Sequence, residues 1–422
     1  MAKGKFDIYV YAHWKGMQEP KIMGVLSAHF AKGKKAFSFE YNKDWLTSKS
    51  HMQIDPDIQF YGGPQFPNNK ENFGIFLDSM PDTWGKTLMR RRAIQEAKAK
   101  SLKAQKLYEI DYLLGVYDES RMGALRFKID PNGSFLDNSE TAPTPPWSSV
   151  AELQEAAHKF ENDDDDDDDK DDDVMKKWLA VLMAPGSSLG GARPKANILD
   201  RDKNIWIAKF PSKNDTIDKA AWEYLAYKLA LSAGIQMSDS KIQKIANRHN
   251  TFFTKRFDRE KGVRIHFASA MTMTGNNEDT IKENTGSYLD LVEFIQNYGC
   301  NINNNLAQLW KRIVFNIAIS NTDDHLRNHG FILTEHGWEL SPAYDLNPSI
   351  DKEGLALNID TDNNALDYEL ARSVGEYFRL NNEQMDTISK EVISAVRTWK
   401  DLAKTIGIPS KEQVLMEAAF RV

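Results

Sequence analysis

A chain of 422 residues exceeds what one ordinary hydrophobic core supports, so two or three domains are expected, each able to bury a sizeable interior. Its composition, 41% hydrophobic and 27% charged, reads as soluble and globular. No apolar run approaches the ~20 residues of a membrane helix, and the opening MAKGKFDIYVYAHW lacks the succession of a signal peptide. The net charge of −7 is carried by one segment, Asp163 to Asp173, ten aspartates broken only by Lys170. Without those eleven residues 53 basic side chains face 51 acidic ones, which argues against a uniformly basic nucleic-acid surface. The single cysteine, Cys300, excludes an internal disulfide framework and suits a reducing, cytoplasmic setting.

In chain order, FDIYVYAHW, MGVLSAHF and AFSFEYNKDWL alternate as strands do and end at Gly, Lys or polar breakers, which predicts a small antiparallel sheet. Apolar spacing then turns helical in FGIFLDSMPDTWGKTLMRRRAIQEA and in SLKAQKLYEIDYLLGVY; Pro81 suits a first helical turn. RMGALRF reads as a short strand. The proline-rich TAPTPPW, followed by a short helical segment and the aspartate run, marks a boundary. Ten adjacent carboxylates repel one another and bury nothing, so a solvated loop is expected there; the Gly and Glu positions of an EF-hand calcium loop are absent. The expected division is residues 1–140, a linker with the acidic loop over 141–176, and a core over 177–422.

Beyond the boundary, ANILDRD and NIWIAKFPS read as a hairpin, DKAAWEYLAYKLALSAGI as a helix ending at Gly234, and KIQKIANRHNTFFTKRFDR as further strands. From Tyr288 helices dominate; in NNLAQLWKRIVFNIAI the residues Leu306, Leu309, Trp310, Ile313 and Ile317 share a face. Strands followed by helices, with polar motifs at the joint, predict a bilobal α+β core with a helical C-terminal lobe behind a small β-rich N-terminal subdomain.

The polar motifs follow that helix. NTDDHLRN holds Asp323 and, five residues on, Asn328; FILTEHGWELS then reads as a hairpin, and SPAYDLNPS brings Asp345. Protein kinases place an Asp that orients the attacking hydroxyl, an Asn that binds Mg²⁺ and a second Asp that bridges Mg²⁺ to phosphates in this order. Taken alone, an Asp and an Asn five apart also suit an N-cap or a turn. Asp324 and His325 are equally open. Lys209 on the apolar strand IWIAKFP suits a phosphate-binding lysine or an edge-strand lysine facing water; Glu223 suits its ion-pair partner or an exposed helical glutamate. GSSLGGARPKA offers glycine backbone that can approach phosphate, or a plain turn, and is not a Walker A loop.

The set GSSLGGARPKA, IAKFPS, TKRFDR, SNTDDHLRNHGF and SPAYDLNPS, in this order, resembles the HipA-type toxin serine/threonine kinases of bacterial toxin–antitoxin systems, and LDSMPDTWGKTLMRRR with DESRMGALRF extends the resemblance over nearly the whole chain. The resemblance implies ATP and Mg²⁺ as cofactors. It makes Asp323 the catalytic base, Asn328 and Asp345 the Mg²⁺ ligands, Lys209 an ATP-phosphate contact, and His325 a member of the same loop. The family pattern S-x-x-G-A-x-x-K falls on Ser188, Gly191, Ala192 and Lys195, making Ser188 the serine whose autophosphorylation switches the kinase off. Arg193-Pro194 removes one amide donor before Lys195, a local departure in the phosphate cradle. Implied partners are a helix-turn-helix antitoxin of the HipB kind, operator DNA mainly through that antitoxin, and a protein substrate such as an aminoacyl-tRNA synthetase, glutamyl-tRNA synthetase being the family precedent. The competing readings are an idle co-repressor that holds an antitoxin on DNA, and a small-molecule kinase of the aminoglycoside-phosphotransferase sort, which the glycine-loop serine disfavours.

Overall fold

The computed structural model describes residues 4–31, 34–48, 52–138, 144–162, 182, 191–246, 248–283 and 285–422. The chain is α+β and divides into two compact units, residues 1–214 with 245–247 and 258–268, and residues 215–244 with 248–257 and 269–422. Ser188 and the Asp163–Asp173 run lie outside the described residues.

In the first unit, alternation in the sequence becomes a four-stranded antiparallel sheet in the order Lys34–Tyr41, Lys21–Ala31, Gly4–Ala12, Leu125–Lys128. Successive strand residues point to opposite faces. Ile8, Val10, Leu26, Ala28, Phe37, Phe39 and Phe127 are accordingly buried on one of them. Phe73 and Phe76 cover that face, their rings 6.5 and 5.7 Å from that of Phe39. Gly24 is required by this packing, since a Cβ there would lie 2.3 Å from the Glu40 carbonyl oxygen.

The helix after the sheet differs from expectation. It runs Thr83–Ala99 and is capped by Asp82, whose Oδ1 accepts from the Gly85 amide at 2.7 Å, so Pro81 precedes the cap instead of opening the first turn. The segment expected to be helical from Ser101 to Tyr117 forms a helix only over Glu109–Leu114, whose start is fixed by the Tyr108 amide donating to Asp111 Oδ2 at 2.7 Å. Its first residues, Ser101 to Gln105, expose every side chain and bury nothing that would hold a helix. The Arg121 guanidinium is buried and donates to the carbonyls of Ser79, Leu113, Val116 and Leu136 at 2.8–2.9 Å, which gathers three stretches of chain around one charge. The expected hairpin is present as Lys195–Leu199 paired with Ile205–Lys209. Asp200 closes its turn by accepting from the amides of Asp202 and Asn204.

In the second unit the helix Lys219–Ser232 ends at Ala233 and Gly234, and the strands Ser240–Gln243 and Thr251–Lys255 pair antiparallel. The helix Ile302–Ala318 buries Leu306, Leu309, Trp310, Ile313 and Ile317, the face the sequence predicts, each burial stabilising by ~1.5–3 kcal/mol before entropy is counted. The hairpin Gly330–Thr334 with Gly337–Leu340 follows it. Among the described residues no helix is long and apolar enough to cross a membrane.

Candidate active site

The long helix of the second unit stops where its sequence turns polar. Ser320 takes a positive φ of 49°, Asn321 and Thr322 are buried, and the chain enters the loop that the sequence singles out. Asp323 stands out from it with 74% of its side chain exposed; Lys352 at 3.8 Å is its charged neighbour. The loop closes on the backbone of that residue. The Asp323 carbonyl accepts from the His325 amide at 3.0 Å and from Asn328 Nδ2 at 2.9 Å, and a short 3₁₀ turn, Leu326–Asn328, completes it. Asn328 is buried, and its amide group is oriented by that one bond, which leaves the side-chain oxygen as its remaining polar atom. His325 is half-buried, with no hydrogen-bond partner for Nδ1 among the described residues.

Asp345 comes after the hairpin with a φ of 59°, a left-handed conformation that Asp tolerates better than most residues and that often marks functional loops. Asn347 Nδ2 donates to its carbonyl and to its carboxylate at 3.2 and 3.3 Å. Two contacts tie this segment to the first loop. The Tyr344 hydroxyl donates to the Arg327 carbonyl at 2.8 Å, and the Asn347 amide approaches Asn321 Oδ1 at 3.5 Å. Asp323, His325, Asn328 and Asp345 thus belong to one hydrogen-bonded pair of loops.

Glu223 lies in the same unit, buried in the second turn of Lys219–Ser232. Asp218 fixes the start of that helix: its carboxylate accepts from the Ala221 amide at 3.0 Å and from both the amide and Nδ2 of Asn250. The remaining predicted residues belong to the first unit. Lys209 ends the strand Ile205–Lys209. Lys195 opens the partner strand, buried, and its ammonium meets Asp82 Oδ2 at 2.9 Å. Gly191 takes φ +90° and its carbonyl accepts from the Trp84 amide at 3.4 Å, while Trp84 Nε1 donates to the Lys195 carbonyl at 3.1 Å. The end of the glycine stretch is therefore moored to the helix that Asp82 caps. Ser188 is outside the described residues.

Sequence reasoning left open what lies beneath the first loop. Asp324 is 1% exposed, and its Oδ2 accepts from the Tyr288 hydroxyl at 2.5 Å, His329 Nε2 at 2.7 Å and Asn316 Nδ2 at 2.8 Å. Burial alone would raise its pKa. The attraction and hydrogen bond of His329, then the Tyr288 hydrogen bond and the His325 charge, outweigh it and hold the carboxyl below its ordinary value. Burial and then the neighbouring Asp324 push the Tyr288 hydroxyl well above its usual range. Arg312, fully buried, donates to the Ser341 carbonyl; burial brings its pKa down to about 10 against the attraction of Asp324. A signal for this network was present in Asn316. A polar amide in the buried run Ile313–Ala318 requires a partner.

Magnesium takes hard oxygen ligands, usually one or two protein groups completed by substrate phosphate and water. The Asn328 side-chain oxygen and the Asp345 carboxylate are of that type, and no group of three His, Cys, Asp or Glu among the described residues could hold an ion unaided. The donor set fits a cation brought in with a phosphate ligand.

An α+β architecture with two loops bearing Asp-Asn and Asp around a short hairpin defines a kinase-like fold. A family model, the HipA-like C-terminal domain, matches residues 187–400, just over half of the chain, and the chain belongs to that family. A Haemophilus influenzae protein named "Putative kinase" is 25% identical over 182 residues, 38% of this chain and 52% of that protein; the chain spans about half the length of the curated relative it matches. A chain in the solved complex of the Shewanella oneidensis MR-1 toxin–antitoxin system HipA, HipB and its operator DNA aligns over 98% of this chain and 94% of its own, with a TM-score of 0.63 and 18% identity. At that identity the likeness is one of fold.

Proposed function

We propose that the protein is an ATP- and Mg²⁺-dependent serine/threonine protein kinase, the toxin of a toxin–antitoxin pair, with residues 177–422 as its kinase core. The observation that carries this reading is Asp323: a carboxylate 74% exposed on a loop whose backbone is closed by Asn328 and whose neighbouring loop bears Asp345. Family membership supports the same reading.

The chemistry follows from the residues. Asp323 orients the attacking hydroxyl and accepts its proton as the hydroxyl oxygen bonds to the γ-phosphorus and the bond to the β-phosphate oxygen breaks, releasing ADP. Asn328 and Asp345 would hold Mg²⁺, which when bound neutralises charge on the phosphates. Lys209 contacts the ATP phosphates, with Glu223 as its orienting partner. Gly191 and Lys195 belong to the phosphate-side loop, where the Asp82 ion pair holds Lys195. Phosphate on Ser188 would add a dianion to that loop and switch the enzyme off. The partners proposed are a helix-turn-helix antitoxin and, through it, operator DNA; the substrate proposed is a protein of the translation apparatus, such as an aminoacyl-tRNA synthetase, in the cytoplasm.

The test is incubation of the dephosphorylated chain with Mg²⁺ and labelled ATP beside its Asp323→Asn form, with mass spectrometry to locate phosphate. Phosphate on Ser188 in the unaltered chain alone is the expected result. No incorporation by either form would move the reading to an idle co-repressor.

A further inference from the structure

Asp323 reaches solvent, and among the described residues the ion-pair partner of its carboxylate is the exposed Lys352 at 3.8 Å. Its side chain is thus aimed by its backbone alone. That backbone is held from two sides: its own carbonyl accepts from His325 and Asn328, and the next residue, Asp324, is buried in a three-donor site. The three donors come from three different elements. Tyr288 opens the helix Tyr288–Tyr298, which Ser287 and Asp290 cap reciprocally; Asn316 lies in the last turn of Ile302–Ala318; His329 precedes the strand Gly330–Thr334. His329 is itself fixed, because its carbonyl accepts from the Ala270 amide at 2.9 Å and its ring packs edge-on to Tyr288 at 5.7 Å. Against an ionised carboxylate Nε2 must carry the proton, and Nδ1 has no partner among the described residues.

A carboxylate in such a place is a poor way to gain stability, since a well-packed apolar group of similar volume often does as well or better. What the carboxylate adds is direction. Three hydrogen bonds converging on one oxygen specify where residue 324 sits, and a peptide unit away they specify where Asp323 projects. We propose that Asp324 is a positioning residue for the reactive loop, held by Tyr288, Asn316 and His329 so that the Asp323 carboxylate projects in one orientation. Its effect on rate rests on the kinase reading; its effect on loop order does not.

The experiment uses the full-length chain and two measurements on Asp324→Asn. The first is the phosphate-transfer kcat with the ATP Kd measured separately; the second is amide hydrogen exchange over residues 323–329. Expected is a tenfold to roughly hundredfold loss of kcat, the size of an ångström-scale misplacement. The ATP Kd should stay unchanged, and faster exchange should be confined to the loop. His329→Ala should reproduce the loss, and His329→Gln, whose amide nitrogen can occupy the place of Nε2, should recover most of it. A folded Asp324→Asn protein with unaltered kcat or unaltered loop exchange overturns the proposal. If that variant does not fold, Tyr288→Phe, which removes one donor, is read the same way, and unchanged rate and exchange overturn it. If the unaltered chain transfers no phosphate at all, the kinase reading falls, and loop exchange alone decides whether Asp324 positions the loop.

Discussion

The Gly191–Lys195 stretch of the first unit and the Asp323–Asn328 loop of the second are both short polar segments beside a hairpin, yet they are held by different means. Gly191 and Lys195 are moored to something distant in sequence, the start of the Thr83–Ala99 helix, through Asp82 and Trp84. The Asp323 loop is moored from inside its own neighbourhood, by residues between Tyr288 and His329. A segment held by a few remote contacts, here the Asp82 ion pair and the Trp84 hydrogen bonds, can be released by breaking them. A segment fixed by several bonds converging on one oxygen depends on that centre and on each of its donors. On the proposed kinase reading, the first arrangement suits a phosphate-side loop that changes state, the second a reactive group that must not move.

Substitutions can break or sharpen this contrast. The largest effect is expected at Asp323→Asn, where loss of the proposed base should lower phosphate transfer by ~10³-fold. The thermal midpoint should hardly move, because the carboxylate is exposed and its ion pair with Lys352 is long. Asp324→Ala should do the opposite kind of damage, leaving three buried donors unsatisfied and costing ~3 kcal/mol in urea unfolding.

The same carboxyl gives a pH dependence. Its folded pKa lies below the ordinary value of 3.8, so the unfolded chain binds the proton first as pH falls. The stabilisation is present above that ordinary value and is lost as pH drops through the depressed folded one. The groups facing it are Tyr288, His329, His325, Asn316 and Arg312. Acid unfolding of Asp324→Asn should therefore lack this increment, a difference visible in paired pH titrations monitored by circular dichroism.

In the first unit, Asp82→Ala removes both the cap of the Thr83–Ala99 helix and the ion pair to Lys195 and should cost ~2 kcal/mol, the upper end of cap losses, in the same urea assay. An equal loss of transferase activity at Asp82 and Asp323 would erase the contrast between the loops. Smallest is Gly191→Ala, about 1 kcal/mol, since φ +90° strains any side chain and the new Cβ would lie 3.0 Å from Lys195 Nζ.

Periodicity alone revealed the N-terminal sheet, the Lys195–Lys209 hairpin, the buried face of Ile302–Ala318 and the hairpin before Asp345, because each of these is written in local alternation or in i, i+3, i+4 spacing. The spacing of Asp323, Asn328 and Asp345 likewise singled out two loops that hydrogen bonds join, in the order that kinase chemistry needs. Local signals failed where a polar residue had more than one use. Pro81 suits a first turn, yet Asp82 caps the helix after it, and by its letter alone Asp324 cannot be told from the loop carboxylate beside it that faces solvent. Adjacent aspartates carry the same letter; only the tertiary structure decided that Asp323 is exposed and Asp324 buried, because that depends on Tyr288, Asn316 and His329 arriving from three elements. The Asp82–Lys195 pair joins residues more than a hundred positions apart, and no pattern within either segment announces the other. Sequence determined the elements and the spacing of the polar loops, while which of the two adjacent carboxylates is exposed and which is buried was left to packing, since burial is a property of neighbours and not of the residue itself.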